Sequence, residues 1–130
     1  MKKYILLLIY ILLISNLYAE LPPYVYENLK KNSPEVLKIK VRDVNTSNVT
    51  NNTKELTVEA KVLKISTSKS GLKVGDVITI VYSRVINRHP GWVGPSPIPL
   101  VERGEVYYAF LRKDCEENYY TPAARGESFE

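Results

Sequence analysis

The sequence predicts an all-β domain of five strands behind a short helix, and three observations carry that expectation. Apolar side chains recur at every second position in separate runs, the period of a strand with one buried face. Turn signals, among them Ser70-Gly71 and Gly75-Asp76, punctuate those runs. The 130 residues include a single cysteine, so no internal disulfide is available and burial has to supply the stability.

The chain opens with MKKYILLLIYILLISNLYA, which has two lysines, an apolar core from Tyr4 to Ile14 and a short polar stretch ending in the small residue Ala19. This is the pattern of a signal peptide over residues 1–19, cut after Ala19. The apolar core is short for a bilayer span, no second long apolar run follows, and no cysteine lies near the cut to take a lipid. The expected product is periplasmic or secreted, with no membrane anchor after cleavage. Losing Lys2 and Lys3 lowers the formal charge from +4 to +2, so nucleic acid is not an expected partner. What is left has the length of one domain.

Residues 20–34 form an N-terminal helical segment: Pro23 suits a first helical turn, Val25 and Leu29 fall four apart, and Pro34 ends the run. Residues 35–130 form the barrel domain. In EVLKIKVRDV, Leu37, Ile39 and Val41 alternate with Lys38, Lys40 and Arg42, a half-buried strand. Asn45 to Thr53 is polar and reads as a loop. In ELTVEAKVLKI, Leu56, Val58, Ala60 and Val62 share a face, after which Leu63 and Ile65 take the other, a phase slip that predicts a β-bulge or sharp coil. DVITIVYSRV is apolar on both faces, as a central strand would be. EVYYAFLRK is a fourth strand with Val106, Tyr108 and Phe110 on one side, and NYYTP is a short fifth. Five strands, one of them bent, predict an OB-type Greek-key barrel, because an immunoglobulin-like sandwich wants about seven strands.

The run VEAKVLKISTSKSGLKVGDVITIVY, followed by PIPLVERGEVYYAFL, resembles the netrin-like (NTR) class of OB folds, which includes the tissue inhibitors of metalloproteinases. The similarity lies in the order of features: a long coiled strand, a turn before a Gly-Asp step, a buried strand, and a Gly-Glu step into a Tyr-rich strand. It covers about two thirds of the chain after Ala19, and the chain also resembles small exported bacterial proteins with no assigned activity. The resemblance implies a fold and, for the inhibitors, chelation of a protease zinc by an amino-terminal cysteine. Here the mature chain begins Glu20-Leu21-Pro22-Pro23, and the family's paired cysteines are missing. What carries over is a fold-level analogy.

The segment HPGWVGPSPIP, His89 to Pro99, holds the only tryptophan, the only histidine and four of the eight prolines. Prolines fix φ and withhold amide donors, so an extended polyproline-like arm is expected. Trp92, with His89 and Val93 beside it, is either an anchor for a partner or a lid that packs on the barrel end. Ten tyrosines against two phenylalanines is a skewed aromatic choice. Tyr107 and Tyr119 are the binding candidates among those of the last two strands, where exposed tyrosine would supply contact area and a hydroxyl, although tyrosine is also an ordinary strand former.

Lys38, Lys40, Arg42 and Lys61 suggest a basic stripe, suited to anionic polysaccharide or lipid headgroups, or else an ordinary wet face with Glu59 interspersed. Three consecutive glycan acceptor patterns begin at Asn45, Asn48 and Asn51, and only Asn45 has an acidic residue, Asp43, two positions earlier. Cys115 is a free thiol in RKDCEEN, where carboxylates oppose the negative charge of a nucleophile. In the absence of reductant it is the route to a slow disulfide-linked dimer.

A lone histidine, a lone cysteine and scattered carboxylates assemble into no catalytic or metal-binding constellation, so neither enzyme activity nor a cofactor or metal is expected. The function expected is that of an exported binding or interaction module in the cell envelope, its partner an envelope protein or polysaccharide. The alternatives are an NTR-like inhibitor of a secreted hydrolase and an enzyme whose site is not recognisable.

Overall fold

The computed structural model describes residues 2–16, 22–50, 52–85 and 97–130. Helix α1 spans Lys2–Asn16, with the side chains from Tyr4 to Tyr10 exposed. No described helix is long and apolar enough to cross a membrane. Helix α2, Pro23–Lys31, starts as expected with Pro23 inside its first turn and ends on Lys30 and Lys31, cations that suit the negative end of a helix dipole. It stops where Asn32 N–H bonds to the Asn28 carbonyl and the Ser33 hydroxyl donates to the Leu29 carbonyl at 2.7 Å. Its buried residue is Tyr26, while Val25 and Leu29 are only half-buried.

The strands are β1 Glu35–Asn48, β2 Thr53–Ser68, β3 Val77–Val85, β4 Val106–Lys113 and β5 Tyr120–Pro122. They close into a barrel in the order β1-β2-β3-β5-β4. All pairs are antiparallel except β3 with β5, which meet in parallel at Ile80 and Tyr120. The molecule is thus an all-β, OB-like barrel with a short N-terminal helix.

Alternation decides what fills the barrel. Leu37, Ile39 and Val41 of β1 face inward with Leu56, Val58, Ala60 and Val62 of β2, Ile78, Ile80 and Tyr82 of β3, and Ala109 and Leu111 of β4. The phase slip in β2 is a bulge: Lys38 pairs with Lys64 and Ile39 with Val62, leaving Leu63 as the extra residue. A second irregularity at Ser66 and a third at Arg42 of β1 bend the same ribbon. The outcome for Ile65 differs from expectation. The bulge resets the phase, so Ile65 comes opposite Leu37 and packs on the core rather than taking the outer face.

Two further expectations change. Asn45 to Asn48 are strand, not loop: β1 continues as an exposed ribbon paired with Lys54 to Thr57, because pairing to β2 satisfies the backbone even where no side chain is buried. Strand β3 is buried on one face only, with Val77 and Val85 exposed, because it is a stave of a closed barrel whose outer face faces solvent. Val106, Tyr108 and Phe110 do share a side of β4, and it is the outer one.

The C-terminal segment completes the barrel. After β5, a 3-10 turn at Arg125–Glu127 reverses the chain, and Ser128 to Glu130 lie along β4, with Phe110 N–H bonded to the Ser128 carbonyl and Tyr108 exchanging bonds with Glu130. Phe129 enters the core between Tyr82 and Tyr107, with ring centroids 5.7 and 6.2 Å away. Lys30 of α2 clasps this segment through ion pairs with Glu127, at 3.1 Å, and Glu130. Burial works against the Lys30 charge, but the two carboxylates outweigh it and hold its pKa above the ordinary lysine value.

Candidate functional site: a basic barrel face and a cleft at one barrel end

His89, Trp92 and Val93 lie outside the described residues. The described end of their segment folds onto the barrel: Ile98 packs against the core, and the Tyr82 hydroxyl donates to the Pro99 carbonyl at 2.8 Å. Burial raises the Tyr82 pKa above the usual phenol value. Tyr107 points inward, edge-on to Phe129, and its hydroxyl accepts the Glu102 N–H at 3.1 Å. The outward member of that tyrosine pair is Tyr108.

Tyr119 is half-buried in the β4–β5 turn, where its carbonyl accepts the Asp114 N–H and the Asp114 charge pushes its hydroxyl pKa up. Asp114 organises this turn by accepting the N–H groups of Glu116 and Glu117, each at 3.0 Å, and those bonds lower its pKa. Cys115 is exposed in the same turn. Asn45 is exposed on β1 opposite Thr57.

The basic stripe becomes a patch with a definite register. On the outer face of β4, β1, β2 and β3, one row across the strands reads Tyr108, Lys38, Lys64, and the next reads Val106, Lys40, Lys61, Val77. Lysine stands directly opposite lysine twice. Lys38 Nζ lies 5.7 Å from the centre of the Tyr108 ring, and Tyr108, Val106 and Val77 are all exposed. Arg42, at the edge of this face, pairs with Glu59 at 3.9 Å. Like charges directly opposed across an antiparallel pair destabilise it, by about 0.2–1 kcal/mol on the scale of such pairs. Lys64 and Tyr108 were missing from the stripe drawn from sequence because the bulge at Leu63 and the register of β4 are needed to place them.

A cleft of about 450 Å³ opens at the end of the barrel where β1 begins and β4 ends. Its walls are Pro34, Glu35, Lys69, Ser70 and the run from Arg112 to Cys115. Glu35 continues the inward-facing series of Leu37 and Ile39, so a carboxyl group sits at the mouth of the barrel interior, 1% exposed. Its Oε1 accepts the Ser70 N–H at 2.8 Å, and the Ser70 hydroxyl shares a 2.8 Å hydrogen bond with Tyr120. Its Oε2 is buried with no partner.

Among the described residues, no three His, Cys, Asp or Glu side chains come together as a metal site. No protein-family profile, no curated protein and no solved structure matches the chain. The barrel class and the geometry of its surfaces therefore carry the functional argument.

Proposed function

We propose that this protein is an exported binding module of the cell envelope, without catalytic activity, that holds an acidic polysaccharide on the outer face of its barrel. The opposed pairs Lys38–Lys64 and Lys40–Lys61 carry this reading. A face serving the fold alone gains by alternating signs, as Arg42 and Glu59 do on the same two strands, whereas repelling pairs favour a bound polyanion. The flanking Tyr108 supplies an exposed ring of the kind that packs on sugars, with a hydroxyl for hydrogen bonds. A lysine-rich start and apolar run at residues 1–19 support export as the route to such a ligand.

The test is binding of polygalacturonate against neutral dextran and phosphatidylglycerol vesicles. The expected result is salt-sensitive retention of polygalacturonate that the Lys38→Gln/Lys64→Gln variant loses. Retention unaffected by that change, or equal binding to the vesicles, would overturn the reading. Capture of a secreted protease in a one-to-one complex would favour the inhibitor instead.

A further inference from the structure

The cleft around Glu35 is a second surface, on the inward side of β1 and separate from the lysine rows. Burying a carboxylate is costly unless a counter-charge and hydrogen bonds compensate it. Glu35 has one such bond, from Ser70 N–H to Oε1, and among the described residues no lysine or arginine forms an ion pair with it. The Ser70 bond latches the β2–β3 turn to β1, and an amide oxygen would do that as well as a carboxylate. The latch therefore accounts for Oε1 and leaves Oε2 without a role. Cations line the same cleft at Lys69, Arg112 and Lys113. The one acidic group beside them, Asp114, is engaged by its own turn through the Glu116 and Glu117 N–H groups. A buried carboxyl group thus lies among the residues that line a shallow, open cleft with a basic rim.

We propose that this cleft binds a small zwitterion of the α-amino acid class, its ammonium donating to Glu35 Oε2 once the rim side chains shift to uncover that atom, and its carboxylate facing Lys69, Arg112 and Lys113. An ammonium supplies the missing hydrogen bond as a charge-assisted one, whereas a hydroxyl supplies only a neutral bond. Cys115 lies on the cleft wall and is exposed, so an occupied cleft shields its thiol.

The experiment titrates the purified chain with the common amino acids singly, reading heat of binding and the rate of Cys115 alkylation. For the best-binding amino acid, the analogue with hydroxyl in place of ammonium and the analogue lacking the carboxylate should each bind about 10- to 100-fold more weakly, the factor a charge-assisted hydrogen bond carries. Glu35→Gln, which keeps the Ser70 latch, should melt like the parent and lose the binding, and the binding should also slow alkylation of the parent. Arg112→Ala/Lys113→Ala, on the exposed rim, should weaken binding while leaving the fold intact. No binding by any amino acid, undiminished binding by Glu35→Gln, or equal affinity for the hydroxy analogue would overturn the proposal, the first making Glu35 a structural latch alone.

Discussion

Replacing Phe129 with alanine should cost this domain about 3–5 kcal/mol, the range for emptying a buried phenylalanine site. The upper part of that range applies. The ring of this penultimate residue is only 5% exposed, and it touches both Tyr82 and Tyr107 at centroid distances where aromatic pairs add about 0.5–1.5 kcal/mol beyond area. Collapse cannot easily heal the hole, because the hydrogen bonds from Tyr108 and Phe110 hold the backbone of the terminal segment in place. For a domain whose whole stability is about 5–15 kcal/mol this is a large fraction. At about 4–8 °C per kcal/mol, the melting temperature should fall by at least 12 °C. Circular dichroism melts and urea titrations measure it, with Phe129→Leu as the milder comparison. A shift of about 4 °C or less would refute the reasoning, since it corresponds to no more than about 1 kcal/mol and would mean that the C-terminal segment adds nothing to the core.

Three further outcomes are expected. Gly75 has φ +94° with nothing within 4 Å of a built Cβ, so Gly75→Val should lose about 1–3 kcal/mol to backbone strain alone and Gly75→Asn less, and equal melts for the two would remove the strain argument. Lys64→Glu should raise stability by up to about 1 kcal/mol in low salt, by turning a repelling pair with Lys38 into an attracting one, and should weaken polygalacturonate binding; a loss of stability would contradict the register. Lys30 and Tyr82 both hold their protons more tightly in the folded chain than the ordinary values of 10.5 and 10.0. Their contribution is complete below those values and lost as pH rises past them, so the urea midpoint should fall above about pH 10, less steeply in Lys30→Met, and a flat midpoint through that range would contradict it.

The barrel was legible because its signals are local. Alternation at Leu37, Ile39 and Val41 needs no partner to be read, and neither do the turn glycines, since Gly71 and Gly75 do adopt positive φ. The bulge was legible as a phase slip at Leu63, but its effect on Ile65 was not, because a slip looks the same whether the strand changes face or inserts a residue and resumes. Phe129 was missed for a different reason. In GESFE it is an isolated apolar residue near a terminus, with no periodicity around it, and only the return of the chain along β4 reveals it as core. Tyr107 and Tyr108 show the same limit, since composition gives tyrosines and pairing decides which of them faces water.

The lysine face and the Glu35 cleft follow from one short stretch, Glu35-Val36-Leu37-Lys38-Ile39-Lys40, read at period two. Strand parity sends position 35 to the same side as Leu37 and Ile39, and positions 38 and 40 to the other. The carboxyl group and the lysines are close in sequence and of opposite sign, yet they cannot neutralise each other, because the sheet stands between them. Extending the parity of Leu37 and Ile39 back by two residues would have placed Glu35 inside from sequence alone. Its buried oxygen is then short of a donor, while outside, Lys61 and Lys64 arrive opposite Lys40 and Lys38 and add charge instead of cancelling it. Packing of the core explains neither feature, because both could be removed by charge-neutralising changes, Glu35→Gln, Lys38→Gln and Lys64→Gln, that leave every buried apolar contact in place. On the proposed reading, ligands of complementary charge answer both costs on opposite sides of one strand: a polyanion over the lysines and an ammonium at Glu35.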